Sequence, residues 1–265
     1  MGDIRIRTVQ DVRTSRSTPV LRAAREIGLI GVLYVGYTVT RMFAEDDLAP
    51  AKARAHGLLH IEHVFGLDWE FGLNHLFAHV DLFGLIGSYW YATGHYLVTL
   101  TALIWLYRKG QRTYVTARRA LVLASLIALV IYLLLPMAPP RMMPGYLDVL
   151  DLHSAEGWWG GDASAPKGFG DWTNELAAFP SLHAGWAVWV AIVVRRVTTS
   201  QMLRGLAWFH AFMTSLVIIG TGNHWVLDAV VGWLIVLFAL WMVDIWAGER
   251  RGFFSLRPPG EPAPS

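Results

Sequence analysis

Cysteine is absent from the 265 residues. That excludes a disulfide framework and thiolate chemistry, and it leaves the redox compartment unreadable. Charge is scarce as well, at 16% of residues against 54% hydrophobic. A mean hydropathy of +0.40 is high for a soluble domain. No apolar signal core opens the chain. Its first residues are polar and carry Arg5, Arg7, Arg13 and Arg16, so no cleaved signal peptide is expected. No internal repeat is visible. What the chain does have is a series of apolar runs, each near the ~20 residues that cross a bilayer.

Those runs predict an all-α, polytopic membrane protein with one domain and six transmembrane helices. Residues 1–22 read as a cytoplasmic arm, 23–247 as the membrane-embedded domain, and 248–265 as a disordered cytoplasmic tail. The spans fall near 23–43, 85–107, 120–135, 179–194, 205–219 and 225–246. Residues 51–82 differ. They are rich in histidine, with apolar residues at helical spacing, and predict interfacial helices broken near Gly66-Leu67-Asp68. His56, His60 and His63 share a face with spacing that suits a metal, although interfacial histidines without one are commoner. Residues 138–178 form a long outer loop.

With the N-terminus inside, seventeen of the 22 Lys and Arg fall on the inner side and thirteen acids fall on the outer side. The positive-inside rule therefore puts both termini in the cytoplasm.

That topology gathers three polar stretches on the outer face: Pro140-Arg141, Pro180 to His183, and Gly220 to Asp228. In the last, a helix starting near Asn223 would set His224 and Asp228 one turn apart on one face. A carboxylate there holds one ring nitrogen and frees the other to react. The bland alternative is a capped helix whose buried His and Asp satisfy each other. Arg141 suits phosphate oxygens. Ser181 offers a hydroxyl and an N–H at a helix start, with Pro180 suited to the first turn. His183 lies just inside that helix. Tyr91 and His95, in the second span, are candidates to line the pocket.

On these residues the chain resembles the type 2 phosphatidic acid phosphatase superfamily, which includes the vanadium haloperoxidases and bacterial acid phosphatases. Pro180-Ser181-Leu182-His183 resembles its Pro-Ser-x-His motif, and His224-x-x-x-Asp228 the end of its third motif. Arg141 resembles the Arg of its first motif. Ala138 to Arg141, Phe179 to His183 and Gly222 to Asp228 look like the inositol phosphorylceramide synthase branch.

The resemblance implies a helical bundle with His224 as nucleophile, Asp228 as its partner and His183 as general acid and base. It implies a phosphohistidine intermediate with neither metal nor cofactor. Arg141, Ser181, Thr221, Gly222, Asn223 and Lys167 would bind the substrate phosphate. The substrate would be a membrane lipid phosphate at the extracytoplasmic face of the plasma membrane. The phosphoryl or phospho-head group would pass to water or to an alcohol or lipid acceptor. No nucleic-acid partner is expected.

Three positions depart from the family pattern. Leu134 stands where the first motif has Lys, Met142 follows the Arg in place of Pro, and Ile218 replaces an Arg six residues before His224. Two readings of other classes compete. A proton-coupled transporter would use the buried His and Asp residues, and a metal-binding membrane protein would use His56, His60 and His63.

Overall fold

A computed structural model describes residues 48–159 and 175–248, together with Gly28, Gly31, Val35 and Gly36. The expected arm, most of the first span, Lys167 and the tail lie outside the described residues. Among the described residues the chain is helical without strands; Met137 and Ala177 form an isolated parallel bridge.

The histidine-rich segment folds as two helices, α1 (Leu48–Val64) and α2 (Glu70–His79). The break falls where the sequence puts it. Leu67 N–H reaches Glu62 O at 2.8 Å and Gly66 N–H reaches His63 O at 3.1 Å, the paired bonds of a Schellman end. α3 (Asp81–Tyr89) runs through a π turn (Trp90–Gly94) into α4 (His95–Lys109). α5 (Gln111–Leu134) follows after Gly110. The basic segment 108–119 is therefore largely helix, not loop.

After α5 the chain makes a 3-10 turn (Pro140–Met142) and a short α6 (Val149–Leu152). Trp159, fully buried, donates its indole N–H to Leu150 O at 3.0 Å. The bundle is completed by α7 (Leu182–Val197), α8 (Gln201–Gly220) and α9 (Val226–Trp246).

Among the described residues three helices, α5, α8 and α9, are long and apolar enough to cross a membrane. The second expected span is the run α3–π–α4. The fourth is α7, whose 16 residues fall short of the ~20 that cross unaided. Outward stripes are apolar at helical spacing, as in Leu234, Phe238, Trp241 and Ile245 of α9.

The core between α4, α5, α7, α8 and α9 is rich in alanine: Ala120, Ala124, Ala187, Ala191, Ala207, Ala211 and Ala239 are all buried. Small residues let helix backbones approach where lipid supplies no hydrophobic drive between helices. The approach is tightest where α7 crosses α9. A Cβ at Gly232 would collide with Ser181 O, and one at Gly185 would sit 3.0 Å from Gly232 O. Gly232→Ala is therefore expected to cost about 1–3 kcal/mol. Gly205→Ala, in α8, whose added Cβ meets open space, should be neutral or slightly stabilising. Thermal unfolding of both variants in detergent checks this, and equal melting temperatures would refute the crossing as a constraint.

Candidate active site

The α7–α9 crossing draws the polar stretches together. Ser181 N–H donates to Asp228 O at 2.9 Å, and Arg141 N–H to Gly222 O at 2.8 Å. Trp225, fully buried, donates its indole N–H to Ala138 O at 3.0 Å. Tyr132 of α5 donates its hydroxyl to Pro180 O at 2.7 Å. The loops after α5, before α7 and after α8 are thus one hydrogen-bonded unit.

His224 lies in this unit, 4% exposed. It is not on α9, which starts two residues later with Trp225 as its cap. Its Nδ1 is 2.8 Å from Ala178 O and 3.3 Å from Asp228 Oδ2. The carbonyl is the nearer partner, and it fixes Nδ1 as the protonated nitrogen. Nε2 is then left with its lone pair. Asp228 Oδ2 also accepts from Trp225 N–H at 2.8 Å. The carboxylate therefore caps α9 and braces the loop as well as facing the imidazole. Burial lowers His224 to about 3, helped by the Arg141 charge and opposed by the Ala178 hydrogen bond, so the ring is neutral at ordinary pH.

His183, in the first turn of α7, presents its ring 5.5 Å from that of His224, centroid to centroid. Tyr91 stacks on His183 at 4.6 Å and His95 approaches it at 4.0 Å. Both belong to or border the π turn, an irregularity that often marks functional sites. The two pocket candidates of the second span are therefore walls of the His183 side.

The phosphate candidates divide. Arg141 donates from Nη1 to Asn223 Oδ1 at 2.6 Å, and its Nε lies 3.2 Å from Asp148 Oδ2. Asn223 in turn donates to Thr221 Oγ1 at 3.0 Å, so its side chain aims the guanidinium. Ser181 is largely committed to the fold: its hydroxyl oxygen accepts from Ala184 N–H as the α7 cap and its N–H serves Asp228, so only the hydroxyl hydrogen is left to donate. Pro180 precedes that cap and is not in the first turn. The N–H groups of Thr221 and Gly222 point back to Val217 O and Ile219 O, and that of His224 to Ile218 O. The loop closes on the end of α8 because Gly222 takes φ +75°, where a side chain would also strike Leu147 O. Among the described residues, donors left for an anion include Arg141, the Ser181 hydroxyl hydrogen and the first-turn N–H groups of Leu182 and His183, which have no acceptor within α7.

Sequence reasoning missed a buttress from the interfacial helices. Glu62 and Glu70 are fully buried side by side. Glu62 Oε1 accepts from Leu227 N–H, in the first turn of α9, at 2.7 Å. Asn74 donates to Leu147 O at 2.9 Å and to Gly220 O at 3.1 Å, and its Oδ1 accepts from Leu147 N–H at 2.8 Å. The signal was present: Glu62 continues the buried stripe Ala51, Ala55, Leu58. His63, on the opposite side, is exposed and pairs with Asp68 at 2.6 Å. Among the described residues no group of three His, Cys, Asp or Glu is arranged to hold a metal.

Burial raises Glu62 from 4.5 to about 10, with the adjoining Glu70 adding to the rise. Such a group contributes stability that is fully present below the unfolded value and is lost as pH climbs towards the folded one. Stability should therefore decline from the ordinary carboxylate range to about 10. Glu62→Gln, which keeps the acceptor for Leu227 N–H and cannot ionise, should flatten that decline. Denaturation across a pH series tests it; an unchanged slope in the variant would exclude the assignment.

A family model described as the PAP2 superfamily matches residues 56–242. No curated protein and no solved structure gives a match. The matched stretch covers well over half of the chain and includes Arg141, His183, His224 and Asp228, and on that match the chain belongs to the PAP2 superfamily.

Proposed function

We propose that this protein is an integral-membrane phosphatase or phosphotransferase acting on a lipid phosphate ester through a phosphohistidine intermediate. The observation that carries the reading is the pair of facing imidazoles, one with Nδ1 committed to Ala178 O and Asp228 and its Nε2 free. His224 Nε2 attacks phosphorus as the bond to the leaving alkoxide breaks, and His183 delivers a proton to that oxygen. In the second half His183 takes a proton from water or an acceptor alcohol, which attacks phosphorus and releases His224. Arg141 and the first-turn N–H groups of α7 hold the non-bridging oxygens. Asp228 stabilises the positive charge that the imidazole acquires on bonding to phosphorus. No step in this scheme calls on a metal or cofactor.

Transfer of a phospho-head group, as in the inositol phosphorylceramide synthase branch, fits the sparse cations better than simple phosphate release. Leu134 and Ile218 stand where the resembling motifs carry basic residues, and Ile218 is fully buried. In the proposed orientation both termini are cytoplasmic. The site then opens at the extracytoplasmic face of the plasma membrane, where a lipid phosphate lies at the interface.

Purified protein in detergent would be given lipid phosphates and phosphodiesters, with and without acceptor alcohols, and products followed by mass spectrometry. His224→Ala should abolish turnover. His183→Ala should slow it by about 10²–10⁴-fold. Free phosphate identifies hydrolysis and a new phospholipid identifies transfer. Undiminished activity of His224→Ala would overturn the nucleophile assignment.

A further inference from the structure

The phosphate-binding guanidinium already carries a built-in anion. Arg141 Nε lies 3.2 Å from Asp148 Oδ2, with the arginine side chain 8% and the aspartate side chain 28% exposed. The carboxylate is not a stray surface partner. Its Oδ1 accepts from Asp151 N–H at 3.1 Å as the cap of α6, which fixes the side chain and leaves Oδ2 for Arg141. The backbone beside it is pinned from α2, where Asn74 holds both polar groups of Leu147. Arg141 is equally fixed, through Asn223 on Nη1 and Gly222 O on its own N–H. Asp148 thus sits against the one guanidinium that the motif supplies, within the unit that carries His224.

We propose that Asp148 is a specificity-determining residue that sets the charge of the phosphate ester the site accepts. Its carboxylate cancels the Arg141 charge, so a singly charged phosphodiester is held by hydrogen bonds alone. Among the described residues the second negative charge of a phosphomonoester meets no further cation at Arg141, and it lies close to Asp148 Oδ2. An uncompensated charge in a buried site is costly, and like charges at this range repel. The same pair orients the guanidinium edge: with Nε and one Nη1 hydrogen engaged, the remaining N–H groups face the ligand as a fixed fork. The inference rests on the lipid-phosphate reading above.

The test is a binding measurement in the His224→Ala protein, where turnover does not interfere. Dissociation constants are measured for short-chain phosphatidic acid and short-chain phosphatidylglycerol, at a pH where the first is doubly charged. The comparison is between the Asp148 form and Asp148→Asn or Asp148→Ser, both of which still cap α6. The substitutions should tighten phosphatidic acid about tenfold, the scale of one charge-assisted hydrogen bond. Phosphatidylglycerol should change by less than about threefold. Parallel shifts for both lipids, or none for either, would overturn the role of Asp148. Absence of turnover in the unsubstituted protein would instead count against the enzymatic reading, which this binding difference does not need.

Discussion

The backbone contact between α7 and α9 is the constraint on which the rest depends. Gly185 and Gly232 let the helices meet almost atom to atom, and the contact is locked by Ser181 N–H on Asp228 O. A methyl group at Gly232 would push the start of α7 outward, and His183 sits on that first turn. Separation of the two imidazoles is thus set by the absence of two side chains. A membrane interior makes this sensible. Close backbone approach gains dispersion contacts that lipid cannot replace, and it does so without burying polar groups.

The polar groups around the site are largely turned inward, which narrows what can hold an anion. The α8–α9 loop looks from its glycines like a phosphate cradle, yet its N–H groups close the end of α8. Asn223 and Asp228 brace Arg141 and the start of α9. In the proposed reading, and among the described residues, anion binding would fall chiefly on the Arg141 guanidinium and the start of α7, both held by the hydrogen bonds above. That is a site with few charges and strong preorganisation, in which donors need no rearrangement as charge develops at phosphorus. The interfacial helices belong to the same frame, since Glu62 and Asn74 fasten α1 and α2 to the start of α9 and the end of α8.

Much of this was legible in the chain. The helical class, the break after Val64 and the convergence of Arg141, His183, His224 and Asp228 follow from periodicity, turn residues and charge placement. What escaped the sequence was the part fixed by tertiary geometry. His224 and Asp228 are four apart, which suggests a shared helix face, but the cap at Trp225 puts the histidine in the preceding loop and its carboxylate partner in the first turn. The sequence also does not show that the Ser181 oxygen accepts from Ala184 N–H and its N–H donates to Asp228 O, which leaves only the hydroxyl hydrogen to donate. Glu62 does not stand out in the sequence because it lies in a histidine-rich segment of mixed polarity. Only the stripe it shares with Ala51, Ala55 and Leu58 places it inside. The expected fourth span corresponds to α7, which is largely enclosed by the neighbouring helices.

The surroundings of the two imidazoles also bear on which acceptor the proposed phosphohistidine meets. His183 is enclosed on its outer side by the Tyr91 ring and the His95 ring, and Trp186 borders His95 in turn, its indole N–H donated to Ser125 Oγ. Aromatic walls exclude water more effectively than they exclude an alcohol carried on an apolar chain, because the chain is itself favourably buried against them. In the proposed mechanism, His183 would exchange its proton with the oxygen of whichever group lies along that wall. Such a wall favours an acceptor that arrives from the bilayer over one that arrives from bulk solvent, independently of the charge that Asp148 sets at the phosphate. Charge selection and acceptor selection would thus be carried by different elements, the first by α6 and the loop after α5, the second by the π turn between α3 and α4.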